Sequence, residues 1–185
     1  KIDKDVLYTC YNTFYHPSNM AMVLCGDFEP NEILNEIEKR LIKKENQGEI
    51  KRIYPYEPRE IANEYKEEKM EISTPIFVIG IKDITSKEKV KKHIAIDILL
   101  KILIGNSSDL YDKLYKENLM LGDFDASYEF SNNYAHVLIQ GQSRAPEELL
   151  NRLKNEVKKY KENGIKDEDF SRERKAVYST YIKEY

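Results

Sequence analysis

Residues 124–142 read FDASYEFSNNYAHVLIQGQ. Phe124, Ala126, Tyr128 and Phe130 alternate with Asp125, Ser127 and Glu129. That is the period of a strand with one buried face and one wet face. Ser131-Asn132-Asn133 makes a turn, and Tyr134 to Gln142 returns as a second strand.

The flanking segments supply cover for such a hairpin. Downstream, Ala145-Pro146 opens a helix that turns Leu149, Leu150, Leu153 and Val157 inward. Asn163-Gly164 stops it, and a last helix is expected from Asp169 to Tyr185, with Asp167-Glu168-Asp169 at its start. Upstream, Gly105-Asn106-Ser107 ends a helix running from Lys87, with Ser86 as its N-cap. The second half of that helix, IAIDILLKILI, is apolar nearly all round and is expected at the centre of the core. Ser107 or Ser108 caps a further helix through Leu110, Leu114 and Leu119. Residues 75–84, PIFVIGIKDI, read as a buried strand, and residues 65–73 as an exposed one. Residues 46–64 contain Gly48, Pro55 and Pro58 and form a long loop. Before it, Pro30 opens a helix with Ile33, Leu34, Ile37 and Leu41 on one face. Met20 to Cys25 is an apolar run closed by Gly26-Asp27 and is expected to be a buried strand. Ile2, Val6, Cys10 and Phe14 recur every four residues, so a helix runs from the start until Pro17 ends it. Helix pairs follow strand pairs. The expectation is α+β, an antiparallel-rich sheet with helices packed mainly on one face.

The whole chain has 185 residues, which predicts a single domain over 1–185. It carries 30 Lys and Arg against 33 Asp and Glu, a net charge of −3, so no basic face for nucleic acid is expected. No apolar stretch is long enough for a membrane span. The 14 Tyr and 6 Phe exclude disorder over most of the chain. Cys10 and Cys25 are expected to be buried hydrophobes in a reducing, cytoplasmic setting. Both termini run into helical pattern, so the chain is expected to be a piece of a larger protein.

Elements of chemistry are few. His16, His93 and His136 belong to no H-E-x-x-H or H-x-x-E-H pattern, and the cysteines lack zinc spacing. His16 fits a helix end, His93 a Lys-rich surface turn, and His136 the less apolar face of its strand, where an interdomain contact is open. Lys87, Lys89, Lys91 and Lys92 read as a solvated helix face, and Glu67-Glu68 as a solvated end. No nucleophile elbow, P-loop or dinucleotide fingerprint occurs. Tyr8, Tyr11, Phe14 and Tyr15 cluster around a helix end and are expected to pack it onto a sheet.

Two blocks carry a resemblance. The first is Tyr11-Asn-Thr-Phe-Tyr-His-Pro-Ser-Asn-Met20, followed by Met22-Val-Leu-Cys-Gly-Asp-Phe-Glu-Pro30. The second is Ile104-Gly-Asn-Ser-Ser-Asp-Leu-Tyr-Asp-Lys-Leu-Tyr-Lys-Glu-Asn-Leu119. In this order they resemble the second unit of a half in the insulinase, pitrilysin and mitochondrial processing peptidase family of zinc metallopeptidases, whose catalytic unit carries an inverted zinc motif. The resemblance covers nearly the whole chain and is nearest to bacterial zinc-dependent peptidases. It implies a processing-peptidase-like α/β unit and a hollow shell built from two or four such units. In that shell an unfolded peptide adds to a sheet edge. It places zinc and its ligands in the preceding unit. Tyr115 and Leu121 stand where members that contact substrate have Arg and Tyr. The chain therefore matches a non-catalytic unit, and no catalytic, cofactor-binding or metal residue is carried over to it. The resemblance implies as partners the preceding catalytic unit and a peptide substrate, with an exposed interface that also allows a homodimer. Two other readings stay open: a scaffold or partner-binding subunit of an inactive family member, and an unrelated α+β interaction module.

Overall fold

In the computed structural model, residues 2–42 and 44–183 are described. The chain divides into two compact units, residues 1–54 and 55–185.

The first unit holds helix α1 (Lys4–Phe14), a short 3-10 turn (Pro17–Asn19) and helix α2 (Pro30–Arg40). Asp3 caps α1, its carboxylate accepting from the N–H groups of Asp5 and Val6. Pro30 stands at the first turn of α2, where its missing N–H costs nothing. No described residue of this unit is buried. Three expectations fail here. Met20 to Cys25 is exposed coil and not a strand. Cys10 and Cys25 are exposed free thiols. Tyr8, Tyr11, Phe14 and Tyr15 are each at least half exposed, Tyr11 stacking on Tyr15 at 5.2 Å. The common reason is that periodicity marks a face as apolar without saying whether another element covers it.

The second unit contains strands β1 (Ile76–Asp83), β2 (Leu121–Phe130) and β3 (Ala135–Gln142), with helices α3 (Lys89–Ile104), α4 (Asp109–Lys116), α5 (Pro146–Asn163) and α6 (Asp167–Lys183). It is α+β. The three described strands form one antiparallel sheet in the order β1-β3-β2. Ser131, Asn132, Asn133 and Tyr134 close the β2–β3 hairpin, the Ser131 N–H donating to the Tyr134 carbonyl. Residues 65–73, expected as a strand, are not one.

One sheet face turns Phe77, Tyr128, Val137 and Ile139 toward Leu100, Leu103 and Ile104 of α3, Leu110 and Leu114 of α4, and Leu149 and Leu153 of α5. Ile104, Ile139 and Leu149 are wholly buried. Helix α6 packs on the outside of α3, where Val177 meets Ile98 and Ile102. The helix α3 is thus buried on two sides but not all round, since Leu99 and Val90 stay exposed. Its N-cap residue is Glu88 and not Ser86, whose hydroxyl accepts from the Glu88 N–H instead. Ser108 caps α4 through the Tyr111 N–H, and Gly164 ends α5 at φ 76°, a conformation a side chain would resist. The last helix begins at Asp167, and its expected end at Tyr185 lies outside the described residues. The opposite sheet face is open: Ile76, Val78, Gln140, Asp125 and Glu129 are exposed on it.

No described helix is long and apolar enough to cross a membrane.

Candidate functional site

Strand β2 is an edge of the sheet, and its edge is unpaired among the described residues. The bond at Ser131·Tyr134 fixes the phase of the ladder. In an antiparallel pair, hydrogen-bonded and non-bonded residue pairs alternate. Glu129, Ser127 and Asp125 therefore turn their N–H and C=O groups toward His136, Leu138 and Gln140. Ala126, Tyr128 and Phe130 turn theirs outward, where no described strand meets them. Unpaired strand edges are templates for another strand.

Along this edge runs a cleft of about 530 Å3 between β2 and α3. Its floor is apolar: Leu100, Ile104, Phe124 and Ala126. Polar groups stand around it. At one end are His93 and Asp97, with Glu129 lining it by its backbone only; at the other, Lys101, Ser107 and Glu173 of α6.

Each polar end is built by packing. His93 and Asp97 are four residues apart on α3 and so share a face. His93 Nε2 lies 3.2 Å from the Asp97 carboxylate, which also accepts from the Tyr181 hydroxyl at 3.3 Å. The His93 ring packs against Phe130 and Tyr128, at 5.4 and 6.1 Å between centroids, and its Nδ1 is buried without a hydrogen bond. His93 is therefore half-buried and not the surface residue its lysine-rich neighbourhood suggests. Burial raises the Asp97 carboxyl above its ordinary value, against the opposing pull of His93, Tyr181 and Lys101.

Glu173 is 5% exposed, the deepest-buried charge described in the chain. Its Oε1 accepts from Ser107 Oγ at 2.7 Å and from Arg172 Nε at 3.0 Å. Arg172 is itself shared, bonding Asp169 at 2.8 Å.

Beneath the cleft a second network holds the strand in place. The Tyr128 hydroxyl donates to Asp83 at 2.9 Å, and Lys92 pairs with the same carboxylate at 2.6 Å. Burial pushes the Tyr128 phenol up to about 12, and Asp83 adds to it. Burial works to raise the Asp83 carboxyl, but hydrogen bonds from Lys92, the Ile84 N–H and Tyr128 outweigh it and leave it lowered. Lys92 is thus a structural cation and not part of a solvated face, while Lys89 bonds Asn132 in the hairpin turn.

The histidines do not converge. His16 Nδ1 bonds the Ser18 hydroxyl at 2.8 Å at the end of α1, and His136 stacks on Tyr134 on the open sheet face. Among the described residues no group of three His, Cys, Asp or Glu side chains is placed to hold a metal ion. The described side chains do not fit a zinc site. Tyr115 is exposed and stacks on Tyr111, and Leu121 opens β2. The sequence reading missed the cleft. The one local signal for it was the i,i+4 spacing of His93 and Asp97.

Comparison with known proteins gives a consistent result. Residues 1–177 match the family described as the peptidase M16 inactive domain. The chain is 32% identical over 154 residues to the uncharacterized zinc protease YmfH of Bacillus subtilis (strain 168), covering 80% of this chain and 36% of that one. It is similar to the crystal structure of an M16-like peptidase from Alicyclobacillus acidocaldarius, with a TM-score of 0.73 and 32% identity. That match covers 98% of this chain and 44% of the other. The chain thus spans less than half the length of either relative.

Proposed function

Since the chain belongs to the family of the peptidase M16 inactive domain, we propose that it walls the substrate chamber of a zinc metallopeptidase and holds extended peptide along β2. The catalytic unit, with its zinc, lies in the part of the parent protein that precedes this chain and is its principal partner. The similarity to a zinc protease supports that reading of the parent. The family match across residues 1–177 supports treating both compact units as one domain. Two exposed thiols suit the reducing conditions of a cytoplasmic protein.

The observation that carries the peptide-binding role is the outward-facing backbone of Ala126, Tyr128 and Phe130 beside a cleft large enough for several side chains. A peptide strand added there gains main-chain hydrogen bonds whatever its sequence, and every second side chain enters the cleft. Broad tolerance with local preference follows, as a degrading enzyme requires.

The test is Ala126→Pro. Proline at 126 removes an N–H that points to the free edge and leaves the ladder to β3 intact, a placement strands accept. Binding of a fluorescein-labelled unfolded peptide, followed by anisotropy, is expected to weaken about tenfold or more, the loss of one or two hydrogen bonds. The far-ultraviolet circular dichroism should not change. Undiminished binding by a folded Ala126→Pro chain contradicts the proposal.

A further inference from the structure

We infer that the β2 cleft selects peptides with a lysine or arginine side chain directed toward Glu173. This rests on the reading of β2 as a peptide-binding edge and adds to it the chemistry of the preferred residue.

A strand paired to Ala126 and Tyr128 sends alternate side chains to the same side as theirs, over α3. The floor they meet is apolar, formed by Phe124 and Ala126 with Leu100 and Ile104 packed beneath. A wholly apolar side chain would fit that floor but would also cover Glu173. Glu173 lines the cleft, is nine-tenths buried, and spends only one oxygen on its neighbours: Oε1 takes the bonds from Ser107 and Arg172, while Oε2 takes none from any described residue. Covering that oxygen with hydrocarbon would strip its remaining water and leave a buried charge half-satisfied. A long side chain with an apolar stem and a cationic head avoids this. Its stem lies on the floor and its head supplies a donor to Oε2.

The balance of charge agrees. The cleft presents two carboxylates, Asp97 and Glu173, beside one lysine, Lys101. Lys101 acts on Asp97, and Arg172 is divided between Asp169 and Glu173, so neither cation fully answers the carboxylates. An acidic side chain would add like charge beside Glu173.

The experiment compares three short peptides of alternating Thr and Val, acetylated at the N-terminus so that no terminal amine competes. At the centre they carry Lys, norleucine or Glu. Anisotropy with the full chain gives three dissociation constants, repeated with Glu173→Gln and Ala126→Pro. The Lys peptide is expected to bind about tenfold tighter than the norleucine peptide and tighter still than the Glu peptide. Glu173→Gln, which keeps an acceptor for Ser107, should erase the preference, weakening the Lys peptide and relieving the norleucine peptide of the cost of covering a charge. If the peptides bind alike and Ala126→Pro abolishes binding, the edge reading stands and the cationic selection is refuted. If none binds, or Ala126→Pro changes nothing, the edge reading fails and the inference falls with it. The comparison on the unaltered chain decides the preference even where a variant fails to fold.

Discussion

Replacing Tyr128 with Phe should make the protein less stable at neutral pH and no less stable than the parent chain in alkali. Tyr128 is buried, and its hydroxyl donates to Asp83 at 2.9 Å. Removing that bond to a charged acceptor costs about 1.5 kcal/mol at pH 7, since Asp83 keeps Lys92 at 2.6 Å. The alkaline limb runs the other way. The folded phenol holds its proton up to about 12, against 10.0 in the ordinary state. Between those values the unfolded chain has released a proton that the folded chain still binds, so stability falls as pH rises. At about 1.4 kcal/mol per pH unit, the loss from Tyr128 is about 1.4 kcal/mol at pH 11 and tends to about 2.7 kcal/mol beyond pH 12. Phe has no such loss. The two stabilities should therefore meet near a pH of about 11. Urea unfolding followed by circular dichroism at neutral pH and at several alkaline values measures the difference directly, because the other tyrosines are common to both chains. A difference between Tyr128→Phe and the parent that stays constant from neutral pH into alkali would refute the reasoning. On the acid side the same network has the opposite sign. The lowered Asp83 carboxyl contributes stability that is lost as pH falls through its folded value.

Other predictions concern the scaffold that positions the cleft. Leu114→Ala, at a side chain 1% exposed in the main core, should cost about 2–5 kcal/mol in urea unfolding, and a loss below about 1 kcal/mol would mean that α4 is not packed as described. Gly164→Ala should cost about 1–3 kcal/mol by the same measurement. The cause is backbone at φ 76° and ψ 179°, since no atom lies within 4 Å of the added methyl. A neutral result would place that residue in another conformation.

The sheet and its helical layer were legible because local signals agreed there with long-range packing. The alternation from Phe124 to Phe130, the Ser131-Asn-Asn turn, the Ser108 cap and the Gly164 stop all match the elements found. The same alternation, read against β3 alone, marks which residues face the core but not which strand ends the sheet. Edge position depends on the order β1-β3-β2, a non-local property. Met20 to Cys25 shows the converse limit, since β-branched and apolar content promises a strand only where a neighbour supplies the ladder. The cleft was hidden for a third reason. Its polar groups come from α3, β2 and α6, and Glu173 stands in a run of charged residues, Arg172 to Lys175, that reads as ordinary solvated helix surface. Only the packing of α6 on α3, through Val177, brings Glu173 against Ser107 and into the wall.

Pairing of peptide with the open edge of β2 is tested residue by residue by amide hydrogen exchange with bound peptide. Saturating peptide is predicted to slow exchange at the outward N–H groups of Ala126, Tyr128 and Phe130, and to change little at Asp125, Ser127 and Glu129, which already bond β3. Protection that appears instead along β1 or the open sheet face, with Ala126 and Tyr128 still exchanging as in the free chain, would contradict it.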